Sequence, residues 1–450
     1  MAKLTQKHIA IVGGGWAGFA AAVRLVKRGH KVSLFESSRT AGGRARRVAV
    51  QGLNVDNGQH ILLGAYRDSL SMMRTVGIDI DNAFLRVPLQ MVYPPGIDGM
   101  AFSAPVSKLI PAPLHLAIAL LRAKGLRNAD KLSLARFSST ARWMDWTLYE
   151  DCSVTELLQR FDQTPRLCEL MWNPLCIAAL NTPPQHASAQ VFLNVLRDSL
   201  GANRAASDML VPKYNLSALF PEKATTFIQN HGGQVALGAA VTQIQRNSVQ
   251  PGKWQLALAQ SDLSQTNATA YDGIIIATDA SNAKRLLQST PTNTSLPSFE
   301  FEAITTCYLQ YPDTLRLDRP MFALLEDAAK QHWGQFVFDR GYLHSDQAGL
   351  LAVVISAPNE SIGLQQEALV QAITSQLAHS LENPALKVPL WHQIITEKRA
   401  TFRCTPKLQR PSNATSEANL VLAGDYTAGE YPATLEAAVR SGIAAADLLA

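Results

Sequence analysis

Apolar and polar positions along this chain follow two periods, and the switch from one to the other marks its first elements. His8 to Val12 is a short apolar run that breaks at Gly13-Gly14-Gly15-Trp16-Ala17-Gly18; alanines, Val23, Leu25 and Val26 then follow helical spacing to Arg28. That is strand, tight turn, helix. Gly29 closes the helix, Lys31 to Phe35 predicts a second strand, and Glu36 stands at its end. Lys3 and Lys7 before the apolar stretch Ile9 to Val26 give it the outline of a secretory signal, but its glycines fit a nucleotide turn better. Far downstream, Tyr271 to Thr278 and Leu420 to Ala423 predict further buried strands, and residues 434–449 an alanine-rich closing helix.

The interior reads differently. Residues 86–214 are mostly helical in pattern, and within them Leu109 to Leu121 is apolar, with Pro111 and Pro113 near its start and Lys108, Arg122, Lys124 and Arg127 about its ends. It is too short to cross a bilayer. A basic-flanked apolar helix can lie in a membrane interface, and an internal core helix has the same pattern. Ser153-Val154-Thr155-Glu156 has capping-box spacing, while Met171, Trp172, Leu175, Ile177 and Leu180 suit core packing or the lining of a tunnel.

Each glycine of the first turn has its own task in binding a nucleotide. Gly13 permits the turn, Gly15 lets the backbone approach a pyrophosphate, Gly18 lets helix and strand pack closely, and the helix N-terminus favours the phosphate charge. Glu36 lies 18 residues beyond Gly18, where a carboxylate accepts ribose hydroxyls and repels a 2′-phosphate. The motif therefore favours FAD or NAD over NADP.

Composition narrows the picture. At 450 residues the chain predicts two domains, and 47% hydrophobic against 17% charged residues points to a greasy surface or a lipid-lined cavity. A net charge of +5 comes from scattered Lys and Arg, which argues against a nucleic-acid partner. Five cysteines without a C-x-x-C pair, and histidines without metal-ligand spacing, predict no disulfide framework, no metal site and a reducing cytoplasm. No other stretch is long and apolar enough for a transmembrane helix, and Ser261 to Ala270 is polar enough for a surface hairpin or loop.

Beyond Glu36, Gly42-Gly43-Arg44 resembles the second glycine signature of the FAD-dependent amine oxidase and phytoene desaturase superfamily. Leu420 to Ala423, Gly424-Asp425 and Tyr431 to Glu436 resemble its closing FAD motif. Three further strings, Asn57-Gly58-Gln59-His60-Ile61-Leu62-Leu63-Gly64, Asn173 to Pro183 and Glu397 to Phe402, together resemble the squalene-associated flavoprotein family. The resemblance runs nearly end to end.

What it implies is an α/β fold: a Rossmann-like FAD-binding domain of the two-dinucleotide-binding-motif type, from residues 1–85, 215–290 and 397–450, with an inserted α+β substrate domain from 86–214 and 291–396. Noncovalent FAD would be held by Gly13, Gly15, Trp16, Ala17, Gly18, Glu36, Gly42, Gly43, Arg44, Gly58, Gln59, His60, Val241, Ala277, Gly424, Asp425, Thr434 and Leu435. The implied reaction is reductive dehydroxylation of hydroxysqualene to squalene, an apolar C30 polyprenoid step of hopanoid biosynthesis. Water leaves, and reduced flavin delivers hydride. His60, Arg399, Glu430 and Tyr431 are the candidate catalytic groups, His60 first as proton donor. A carotenoid-type desaturase running hydride the other way, and a non-catalytic prenyl-binding module, are the rival readings. The implied location is cytoplasmic, with peripheral attachment to the inner face of the membrane as one option, and the electron donor is unidentified.

Overall fold

The computed structural model describes residues 6–95, 97–107, 109–259, 269–357 and 363–450. Lys3, Lys108 and most of the polar stretch expected at 261–270 lie outside them. Two sheets of five strands each organise the chain. In chain order their strands are β1 (His8–Val12), β2 (Lys31–Glu36), β3 (Gln234–Leu237), β4 (Gly273–Ile276), β5 (Phe301–Gln310), β6 (Met321–Ala323), β7 (Phe336–Asp339), β8 (Leu350–Ser356), β9 (Trp391–Phe402) and β10 (Leu420–Leu422). The helices that matter for the site are α1 (Trp16–Lys27), α2 (Arg67–Thr75), α3 (Leu114–Arg122), α4 (Asn128–Trp143), α5 (Ala280–Leu287) and α6 (Leu435–Leu449).

The first sheet has the order β3-β2-β1-β4-β10, and every pairing in it is parallel. Parallel strands are covered on both faces, which is why β1 and β4 are nearly unbroken apolar runs. Their side chains still alternate. Ile9 and Ile11 join the core under α1 and α6, whereas Ala10 and Val12 join the core under α5 and the hairpin of residues 241–258. Register aligns Val12 with Phe35 and with Ile276, and Ile276 with Leu422. The carboxyl ends of strands from both chain termini therefore meet at one edge, the usual place for a ligand in an open α/β sheet.

The second sheet, β6-β7-β8-β5-β9, is antiparallel. Its central strands are buried on both faces: Cys307, Leu309 and Val353 pack toward the helix of residues 366–380, and Tyr308, Ala352 and Val354 toward Val87 and Val211. β9 pairs with β5 as far as Phe402, so residues 397–402 belong by pairing to this sheet. The segment 86–214 is less purely helical than its pattern suggests, with strands at Gln90–Val92, Ala101–Ser103 and Met209–Pro212. Ser153 caps its helix as expected, accepting from the Glu156 N–H at 3.1 Å.

α1 and α6 cross at a contact that only glycine allows. A Cβ on Gly442 would lie 2.1 Å from the Ala17 carbonyl oxygen. Alanine is the better helix former by about 1 kcal/mol, yet overpacking here costs about 1–3 kcal/mol, so the steric term wins. Gly442→Ala is expected to lower stability in urea unfolding; an unchanged or higher midpoint would show that the helices can separate freely.

Candidate functional site

The site is built where the two glycine segments touch. Gly13 has φ +112°, its N–H donates to the Phe35 carbonyl at 2.8 Å, and a Cβ there would lie 2.5 Å from the Ala277 oxygen. A Cβ on Gly18 would meet the Gly13 oxygen at 2.0 Å. Gly14, to which the pattern assigned no task, has one: its Cβ would fall 2.8 Å from that of Glu36. Gly15 alone faces open space, with nothing within 4 Å of an added Cβ. α1 starts there with no side-chain cap and no acidic residue in its first turn. Its N-terminal N–H groups and positive dipole end are thus left for an anion, and the cradle fits a diphosphate.

Gly42 and Gly43 lie directly on this turn. The Gly42 N–H donates to the Gly14 oxygen at 2.9 Å, and a Cβ on Gly43 would come within 3.2 Å of the Gly15 Cα. Both glycines have positive φ, +119° and +64°. The Glu36 carboxylate accepts from the N–H groups of Gly14 (2.6 Å) and Ser38 (2.7 Å), which fixes it at the end of β2. The chain leading to Val241 crosses the same end, for the Ala239 N–H donates to the Glu36 carbonyl at 2.8 Å. Trp16 is buried against Phe220, so its backbone and not its ring borders the cradle.

Distant segments close the site. The Arg44 guanidinium pairs with Asp425 at 2.7 Å and donates to the Ala400 carbonyl at 2.8 Å, joining the second glycine segment to the C-terminal motif and to β9. Asp425 follows Gly424, whose Cβ would collide with the Tyr426 ring at 2.5 Å. Thr434 caps α6 by accepting from the Ala437 N–H at 3.1 Å. In the first turn of α6 the fully buried Glu436 accepts from the Ser69 N–H (2.9 Å) and the Asp68 N–H (3.1 Å) at the start of α2, where helix dipole and carboxylate attract. Leu435 stands between those two anchors.

Asn57 to His60 bridges the sheets. The Asn57 side-chain amide donates to the Arg44 carbonyl at 3.0 Å, the Gln59 N–H donates to Thr306 on β5 at 3.3 Å, and the Gln59 side-chain oxygen accepts from Arg340 at 2.8 Å. Gly58 lies close by, a Cβ there being 3.7 Å from the Thr306 hydroxyl. Arg340 is buried and is held by Gln347 at 2.9 Å; nothing in the local sequence around it marks this role. His60 has Nδ1 2.6 Å from the Gly58 carbonyl, so Nδ1 carries the hydrogen and Nε2 is left as an acceptor. Burial holds this imidazole below its ordinary range, an effect the Gly58 contact only partly opposes. It is neutral at pH 7.

The other candidates are spread out. Arg399 is exposed, 5.9 Å over Phe301 and 3.4 Å from Ser281 of α5. Glu430 is exposed and paired with Arg197 at 3.0 Å; the buried Tyr431 donates to Asp198 and lies 4.4 Å beneath Arg440. Both therefore clasp the π-helical turn Arg197–Gly201, and no described contact joins them to His60 or Arg399. Met171, Trp172 and Leu180 are core. Asn181, from the same string, ties the helical segment to the second sheet through Thr401 (2.9 Å) and the Ala357 N–H (2.8 Å). Cys404 is buried and its thiol is pushed up to about 12 by burial, so it is a poor nucleophile at neutral pH.

With this geometry in view, the sequence profile described as "Flavin containing amine oxidoreductase" matches residues 16–450. The chain is 28% identical to the hydroxysqualene dehydroxylase of Rhodopseudomonas palustris, across 99% of this chain and 98% of the relative. It is 23% identical to a probable zeta-carotene desaturase of Synechococcus elongatus, across 98% of each. Among solved structures, the putative protoporphyrinogen oxidase from Exiguobacterium sp. 255-15 superposes with a TM-score of 0.68 at 15% identity, covering 99% of each chain. That likeness is one of fold.

Asp56, just before the bridging loop, supplies a pH test. Burial raises its carboxyl to about 6, against the pull of Arg340 and the Leu216 N–H. A raised folded value means the native state holds the proton more tightly, so this residue costs stability as pH climbs from about 4 to 6. Asp56→Asn is therefore expected to gain roughly 3 kcal/mol on the parent between pH 4 and 7 in denaturant unfolding. A difference independent of pH would refute the buried-acid assignment.

Proposed function

The chain belongs to the flavin containing amine oxidoreductase family, and from that premise we propose that it is an FAD-dependent dehydroxylase of hydroxysqualene, forming squalene. The observation that carries the FAD reading is the double glycine cradle with Gly15 open at the start of α1 and Glu36 at the end of β2. A diphosphate would rest on Gly13, Gly15, Gly18 and Gly42-Gly43, with ribose hydroxyls donating to the free lone pairs of Glu36. Arg44, Asp425, Gly424, Thr434 and Leu435 would border the flavin half, and Val241 the adenine half. Attachment is noncovalent in this reading, since Cys404 is buried and protonated. In this reading the cofactor portion comprises residues 1–85, 215–290 and 397–450, the first residues of its last piece also pairing with the second sheet through β9.

The substrate class is supported by the similarity to a named hydroxysqualene dehydroxylase over nearly the whole of both chains. Bound reduced FAD would supply a hydride, so that alcohol, hydride and one proton give hydrocarbon and water. The chain itself must orient the alcohol carbon, exclude water and deliver that proton. His60 remains the candidate beside the reacting hydroxyl, but as a neutral imidazole with Nδ1–H tied to Gly58 it offers Nε2 as an acceptor, and its capacity to donate a proton lies at acid pH. Arg399 would stand at the β9 side of the site, while Glu430 and Tyr431 act as positioning groups through Arg197 and Asp198.

The similarity to a zeta-carotene desaturase favours one rival, a desaturase taking hydride from the hydrocarbon. The two differ in direction. Protein whose flavin has been reduced anaerobically is expected to reoxidise on adding hydroxysqualene, with squalene rising in step by mass spectrometry. A flavin that stays reduced, with no squalene, would overturn the dehydroxylase; reduction of oxidised flavin by a polyene would establish the desaturase.

A further inference from the structure

One stretch of the surface has its polarity inverted. In α3 the buried positions are His115 and Ala119, while Leu114, Ala117 and Leu121, spaced three and four apart, face outward. Leu114 is 55% and Leu121 75% exposed. α4 repeats the arrangement: Leu132, Arg136, Ser139 and Trp143 form one stripe at helical spacing, all exposed, with Leu132 at 60% and Trp143 at 85%. The Lys131 ammonium donates to the Leu121 carbonyl at 2.9 Å and so holds the end of α3 against the start of α4. Val106, Leu109 and Tyr149 extend the exposed apolar set at either end.

The charges around these leucines are one-sided. Arg122, Lys124, Arg127, Lys131, Arg136 and Arg142 face two acidic residues between 106 and 149, the buried Asp130 and the exposed Asp145. None of the six basic side chains forms a salt bridge among the described residues. Arg160 and Arg166, just beyond the stretch, each hold a carboxylate. Exposed leucine and tryptophan interleaved with unpaired cations fit the boundary between headgroups and acyl chains, where apolar groups are buried, aromatic rings settle and cations meet anionic lipid. An open cleft of about 710 Å³ lies beside the turn between the helices, with Tyr93, Ile97, Met100 and Phe322 on its apolar side and Lys124, Asp318 and Arg319 on its charged side.

We propose that the outer face of α3 and α4 docks on an anionic phospholipid bilayer and lies in its headgroup layer, with the neighbouring cleft turned toward the membrane. The docking rests on the polyprenoid reading only for its purpose, not for its existence. Flotation of the full flavin-loaded chain with vesicles of phosphatidylcholine and about 30 mol % phosphatidylglycerol tests it. The protein should rise with these vesicles, much less with pure phosphatidylcholine, and less again as salt is added. Leu114→Glu with Leu121→Glu, both at exposed positions, should retain flavin absorbance and melting temperature while the partition coefficient falls at least about tenfold.

Wild-type protein left at the bottom of the gradient, or a double variant that floats equally well, would overturn the proposal. So would light scattering that finds a dimer split by the same substitutions, which would assign the face to a second copy of the chain. The flotation contains neither reductant nor polyprenoid. Its failure leaves the dehydroxylase reading intact, and absence of turnover in detergent leaves the docking face intact.

Discussion

The hydrogen bond from the Gly42 N–H to the Gly14 carbonyl, 2.9 Å long, is the contact on which the rest of the site depends. It is backbone against backbone, and both segments reach it because side chains are missing where any Cβ would collide. Gly13 must clear the Ala277 oxygen, Gly14 the Glu36 side chain, and Gly43 the Gly15 Cα. What remains free is the face of Gly15 at the uncapped start of α1. A helix end with unsatisfied N–H groups, surrounded by backbone rather than side chains, is suited to a bound anion.

From that contact the chain ties its remote parts together. Arg44 carries the second glycine segment to Asp425 near the C-terminus and to β9, and Asn57 to Gln59 carries it on to β5 and Arg340. Glu436 links α6 to α2 in the same way. The antiparallel sheet is thereby fastened to the parallel one by side-chain and loop contacts concentrated at the carboxyl ends of the parallel strands. The membership of a flavin family and the outward apolar stripe of α3 and α4 lie in one chain, the first explained by the glycine cradle and the second the basis of the proposed docking on lipid.

Much of this was legible because it is local. Gly13, Gly15, Gly18 and Glu36 sit within one strand-turn-helix-strand unit, so spacing alone exposes their geometry, and Gly42-Gly43 follows a few residues later. The strands Gly273–Ile276 and Leu420–Leu422 show as apolar runs because both faces are covered. Long-range partners left no such trace. Nothing near Arg44 names Asp425, nothing near Glu436 names α2, and Arg340 resembles any arginine at the end of a strand. The tasks of Gly14 and Gly442 come from what crosses them in space. Glu430 and Tyr431 lie beside the closing motif in sequence, but their side chains turn to Arg197 and Asp198. For Leu109 to Leu121, periodicity allowed a core helix or an interfacial one; the outward stripe of α3 decides which face is bare.

The most direct test of the cradle is a titration of deflavinated protein and its Gly15→Ala variant with FAD, followed by flavin fluorescence. The added methyl has empty space in the free chain, so the two proteins should melt alike. With the diphosphate seated against Gly15, the variant should bind FAD at least about tenfold more weakly, the loss of roughly 1.4 kcal/mol or more. Equal affinity in the two proteins would contradict the account, for it would mean that the cofactor does not rest on the turn that the first and second glycine segments build together.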